Sequence, residues 1–141
     1  MKLKFTIDKD RKKRYKEKIA HSRERLIDLE EWLERKEKIA LLASEKAFQE
    51  AVEALTDIFA MLLSDIKLSV DDDYTNIEKI KDRGIISEEE AKICVEANGL
   101  RNIVTHRYNH FDEERFRESA KHLIIKLREI LDKIENCIKN A

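Results

Sequence analysis

A chain of 141 residues with no proline and only two glycines has few means of turning sharply. Hairpin-rich β architectures draw repeatedly on Gly, Pro and Asn for backbone conformations that other residues resist, so they are disfavoured here. Long helices need no such punctuation. Charged and hydrophobic residues each make up 42% of the chain, the balance expected of helices with one apolar and one solvated face. The sequence predicts an all-α fold, a single domain over 1–141 built as an up-and-down bundle of about five helices.

The hydrophobic period places those helices. The first is expected from about Asp10 to Lys38, where Tyr15, Ile19, Ser22, Leu26, Leu29 and Leu33 share one narrow stripe among Lys, Arg and Glu. Such a stripe needs a neighbour to bury it. The second is expected from about Ser44 to Lys67, with Phe48, Val52, Leu55, Phe59, Leu62 and Ile66 in one row. Ala51, Ala54, Ile58, Met61 and Leu63 widen that row around much of the circumference, which predicts a central helix. Its polar residues Glu50, Glu53, Asp57 and Ser64 share a strip that is either solvated or borders a cleft. One of Asp71, Asp72 and Asp73 should cap a short third helix reaching about Arg83, with Gly84 as its stop. Ser87-Glu88-Glu89-Glu90 reads as a capping box opening a fourth helix that turns Ile93, Ala97, Leu100 and Val104 inward. Asp112 is expected to cap a fifth, carrying Phe116, Leu123, Leu127, Ile130, Ile134 and Ile138.

Charge and cysteine content narrow the function classes. Lys and Arg total 29 against 30 Asp and Glu, which argues against coating nucleic acid through bulk charge but leaves a local grip on a phosphate open. No apolar run approaches the roughly 20 residues that span a bilayer, and Met1-Lys2-Leu3-Lys4-Phe5 lacks the apolar core of a signal peptide. Cys94 and Cys137 lack metal-ligand spacing and are expected as thiols in a reducing cytoplasm. The basic run from Lys9 to Lys18 is a solvated helix start or a contact for RNA or an acidic partner. His21 and His122 have no grouped partners, and Trp32 is most simply a packing residue.

One segment is chemically pointed: Arg101-Asn102-Ile103-Val104-Thr105-His106-Arg107-Tyr108. Histidine titrates nearest neutrality and suits proton transfer, while the forked donors of arginine match a phosphate. Together they are the minimum equipment for RNA cleavage without a metal, because the ribose 2′-hydroxyl supplies the nucleophile and leaves a 2′,3′-cyclic phosphate. The spacing is awkward. Five residues on an ideal helix separate two side chains by about 140°, so Arg101 and His106 converge only if the helix ends near His106 or if two subunits share the site. Asn102, a helical turn before His106, lies on the same face.

This segment, in its order of helices, resembles the signature of the HEPN superfamily and in particular of the HepT-like toxins. The resemblance extends over most of the chain: the amphipathic first helix, an apolar second helix with Asp57 near its middle, the Gly84-Ile85-Ile86-Ser87 turn, and a last helix opened by His110-Phe111-Asp112. It implies a homodimer whose motif helices face a shared cleft. Arg101 and His106 would be catalytic, with Asn102 and more weakly Asp57 in support, and no metal or other cofactor. It further implies the toxin of a type VII-like toxin–antitoxin pair, cutting RNA until an MntA-like nucleotidyltransferase antitoxin transfers AMP to Tyr108. The competing reading is a non-catalytic nucleotide-binding or scaffolding partner of a minimal nucleotidyltransferase.

Overall fold

The computed structural model describes residues 5–106 and 111–141. Among the described residues there are five helices and no strand: α1 (Lys9–Leu33), α2 (Lys38–Asp65), α3 (Asp73–Asp82), α4 (Glu88–Thr105) and α5 (Glu113–Lys139). The all-α bundle is as expected. No helix among these residues is long and apolar enough to cross a membrane.

The buried residues of α1 are the six of its stripe, Tyr15, Ile19, Ser22, Leu26, Leu29 and Leu33. Helix α2 covers that stripe by running back along it in the opposite sense. Midway along the pair the Ser22 hydroxyl donates to the Ala51 carbonyl at 2.9 Å. At the far end the Tyr15 hydroxyl and Arg11 Nε, the latter at 3.0 Å, both donate to Asp65. Burial, together with that charged acceptor, pushes the Tyr15 phenol well above its ordinary range.

The corner between these helices departs from expectation. Helix α1 stops at Leu33 rather than near Lys38, and α2 begins at Lys38 rather than Ser44. Nothing in the local sequence marks the break. Glu37 stands at the N-cap without a side-chain capping bond. The end closes locally through Glu34 N–H to the Glu31 carbonyl and Arg35 N–H to the Trp32 carbonyl, and Arg117 of α5 donates Nη1 to the carbonyls of Leu33 and Arg35, each at 3.1 Å. An arginine more than eighty positions away thus satisfies carbonyls that a helix end leaves open.

Helix α2 packs against every other helix, and its apolar circumference forms the centre of the core. Phe48 of α2 meets Phe116 of α5 edge-to-face, centroids 5.8 Å apart and planes at 89°. Helix α3 starts where Asp72 accepts from the Thr75 backbone N–H at 2.9 Å, and Gly84 follows its end with φ 73°. Helix α4 opens with the expected capping box, in which the Ser87 backbone N–H donates to Glu90 at 2.7 Å and the Glu90 N–H donates back at 3.1 Å. Lys133 of α5 adds a bond to Glu90 at 2.6 Å. Burial pushes the Glu90 carboxyl up, but Lys133 and Ser87 outweigh it and hold the group below the usual range. Asp112 caps α5, and the whole expected stripe of that helix is buried.

Phe116→Ala should lower the unfolding free energy by about 3–5 kcal/mol, read from urea denaturation. A loss under about 1 kcal/mol would show that α5 does not close the core where Phe48 and Phe116 meet.

Candidate active site

Arg101 lies on α4 one turn before the helix ends, with its side chain only 16% exposed. Its Nη2 donates to Asn98 Oδ1 at 2.7 Å and to Asp73 Oδ2 at 2.9 Å. Glu53 Oε1 stands 3.8 Å from Nη1, close enough for charge attraction but beyond a hydrogen bond. Arg101 Nε is buried with no hydrogen-bond partner. Three helices thus converge on one guanidinium: α2 through Glu53, α3 through Asp73, and α4 itself through Asn98. Asn98 is 1% exposed and belongs to the inward row of Ala91, Cys94 and Ala97. Burial, aided by the charge of Glu90, pushes the neighbouring Cys94 thiol up to about 12, so it stays protonated near neutrality.

His106 sits at the opposite extreme of exposure. It is the C-cap of α4, with φ −103° and ψ 45°, outside the helical region. Its backbone N–H closes the last turn on the Asn102 carbonyl at 2.9 Å. Its ring is exposed, and among the described residues no hydrogen bond or ion pair engages it. The helix therefore does end at His106, yet within one chain no such bond joins Arg101 to His106. Asn102 is half-buried, and its side chain has no hydrogen-bond partner among the described residues. Tyr108 and His110, both singled out from the sequence, lie outside the described residues.

Asp57 is not brought to the motif. Its carboxylate takes Lys18 of α1 at 3.1 Å. The polar strip of α2 does border a cleft, of about 430 Å³, in which Glu50, Glu53 and Asp57 face Arg14, Lys18 and His21 of α1. His21 Nε2 lies 3.4 Å from Glu50 there. Glu53 joins the two regions, lining this cleft while approaching Arg101. A second groove of about 430 Å³ runs beside the motif between α4 and α5, lined by Gly99, Leu100, Ile103, Phe111 and Phe116. Ile103, between the two motif residues, is 56% exposed. Among the described residues no three His, Cys, Asp or Glu side chains group as a metal site would.

The residues that hold Arg101 were not singled out from the sequence. Asn98 carries a usable signal, since an amide on the inward face of a helix needs a buried partner. Asp73 carries a fainter one: in a run of three aspartates Asp72 makes the cap, which leaves the others available.

Gly99, in the interior of α4, is not required by space. Among the described residues a Cβ there would meet only the Tyr74 hydroxyl, at 3.8 Å. Gly99→Ala is expected to raise the unfolding free energy by about 0.5–1 kcal/mol through helix propensity, seen as a higher denaturation midpoint. A lower midpoint would show that a methyl group at position 99 meets a neighbour that cannot give way.

The chain is similar in sequence to known proteins. Residues 15–134 match the family model described as "Ribonuclease HepT-like". A protein of Archaeoglobus fulgidus named "Putative RNase" is 35% identical over 129 residues, covering 92% of this chain and 96% of its own. A second of that name from the same organism is 38% identical over 100 residues, covering 64% and 76%. A Methanocaldococcus jannaschii protein whose name also begins "Putative RNase" is 41% identical over 63 residues, covering 45% and 72%. With the match spanning all but the two ends, the chain belongs to the HepT-like ribonuclease family.

Proposed function

We propose that this chain is a metal-independent endoribonuclease, the toxin of a type VII-like toxin–antitoxin pair, with Arg101 and His106 as its catalytic residues. The observation that carries the reading is their contrast on one helix. The Arg101 guanidinium is anchored to the bundle, while the His106 imidazole is exposed at the helix terminus, in a member of a ribonuclease family. In the reaction the ribose 2′-oxygen bonds to the phosphorus and the P–O5′ bond breaks. The 2′-hydroxyl loses a proton and the 5′-oxygen gains one; imidazole transfers one of these and water the other, while the guanidinium stabilises the charge on the five-coordinate phosphate. The products are a 2′,3′-cyclic phosphate end and a 5′-hydroxyl end.

The site is composite in this reading, with Arg101 of one protomer meeting His106 of its partner across a homodimer. Two features support it: the absence of a bond between Arg101 and His106 within one chain, and the exposed Ile103 beside an apolar groove at the motif. Control is by a cognate MntA-like nucleotidyltransferase antitoxin that transfers AMP to Tyr108. An adenylate two positions from His106 would add bulk and negative charge where an RNA phosphate must bind.

Purified protein incubated with RNA in excess chelator is expected to cut it and leave cyclic phosphate ends, identified by mass. His106→Ala and Arg101→Ala should each slow cleavage by about 100-fold or more. Intact RNA with the wild-type chain, or equal cutting by the variants, would overturn the assignment. Mixing the two inactive variants restores activity only if the site is composite, because a mixed dimer then regains one complete pair.

Coexpression with the cognate nucleotidyltransferase should add an adenylate to the Tyr108 peptide, and Tyr108→Phe should abolish the addition. A Tyr108 peptide of unchanged mass would refute this mode of control.

A further inference from the structure

The bonds around Arg101 are more elaborate than a surface ion pair needs, and they are mounted rigidly. Asp73 is the first residue of α3, and the segment leading to it is fastened at several points. The Asn76 side chain, 3% exposed, accepts from the Asp71 N–H at 2.8 Å and donates to the Asp71 carbonyl at 3.1 Å. Lys79 bonds the Ser69 carbonyl at 2.9 Å, the Ser69 hydroxyl at 2.8 Å and the Asp71 carboxylate. Asp72 caps the helix through both the backbone and the hydroxyl of Thr75. The Asp73 carboxylate is thus carried on a braced helix start, whereas most surface acids hang from freely rotating stems.

Asn98 supplies the second constraint. Burying an amide is unfavourable unless its polar atoms find partners. Its oxygen, inside the bundle, is committed to Arg101 Nη2. Two acceptors on a single nitrogen, coming from different helices, fix the rotation of the guanidinium plane. Glu53 restrains the same group from a third direction, and Nη1 makes no hydrogen bond among the described residues. A free arginine side chain samples many rotamers, and such a clamp removes most of that freedom before any ligand arrives.

Resting on the ribonuclease reading above, we propose that Asp73, together with Asn98, is a positioning residue: it orients Arg101 so that its uncommitted donors meet the scissile phosphate in the transition state. Asp73 itself does not touch RNA. Orientation of a charge-stabilising group acts on the chemical step more than on substrate binding, so its loss should appear in kcat rather than KM.

The test uses the full-length chain and a short single-stranded oligoribonucleotide bearing a fluorophore and quencher, with folding checked by circular dichroism. Asp73→Ala is expected to lower kcat about tenfold to a hundredfold while KM stays within about twofold. Asp73→Asn retains an acceptor oxygen for Nη2 and should keep kcat within about threefold of wild type. Should Asp73→Ala fail to fold, Asp73→Ser, too short to reach Nη2, carries the same expectation. Unchanged kcat in Asp73→Ala or Asp73→Ser overturns the proposal, as does faster cleavage by either, which would make the carboxylate a mask on Arg101. A wild-type chain that leaves the RNA uncut instead overturns the ribonuclease reading on which the proposal stands.

Discussion

Helix α2 is apolar around so much of its surface that no single neighbour can cover it, and that constraint organises the rest of the molecule. Its row from Phe48 through Phe59 to Leu63 is buried, and all four remaining helices pack against it. Each of them needs only one apolar stripe as a result. That frees their outer faces for Lys, Arg and Glu, and so explains how a chain with 42% charged residues still builds a core. The same arrangement leaves the polar strip of α2 as the one side from which Glu53 can reach Arg101.

A guanidinium that is largely shielded from water must replace its hydration with acceptors, and α4 cannot provide enough of them alone. Asn98 gives one, and α2 and α3 provide carboxylates. The polar network therefore couples the three helices at the place where the hydrophobic core gives way to the surface. Elsewhere cross-helix ion pairs, such as Arg23 with Asp132 and Glu135, hold neighbouring faces together without enclosing any group. Such exposed pairs contribute little to stability, typically up to about 1 kcal/mol each. The Arg101 cluster differs in that its guanidinium and Asn98 are shielded, while Glu53 and Asp73 reach them from the surface.

Much of the fold was legible because its determinants are local. The α1 stripe, the Asp72 and Asp112 caps, the Ser87–Glu90 box and the Gly84 stop each depend on residues within a few positions. The misplaced corner between α1 and α2 shows the opposite case, because Arg117, which bonds the Leu33 carbonyl at the end of α1, is supplied by the last helix. Sequence periodicity has no access to such a bond. At the candidate site the same division holds. Arg101 and His106 stood out through spacing and residue type, but the partner expected of the motif, Asp57, serves Lys18 instead. The carboxylates that do gather there, Asp73 and Glu53, lie 28 and 48 positions away from Arg101 and meet it only in the folded bundle.

The way α4 is fastened has a consequence for local stability. Its first turn is tied to α5 through Glu90 and Lys133, and Arg101 ties it to α3 near the other end. Opening any amide between those ties means disrupting contacts that the whole bundle shares. Beyond Arg101 on this helix only Val104 is buried, Thr105 and His106 are exposed, and the His106 N–H closes on the Asn102 carbonyl. Proteins open piecemeal, in units whose free energies range from near zero at frayed ends to the full stability of the core. Arg101 is tied into the bundle by its side chain, whereas among the described residues His106 is held through its backbone. The bundle places the guanidinium, whereas the course of the last helical turn places the imidazole.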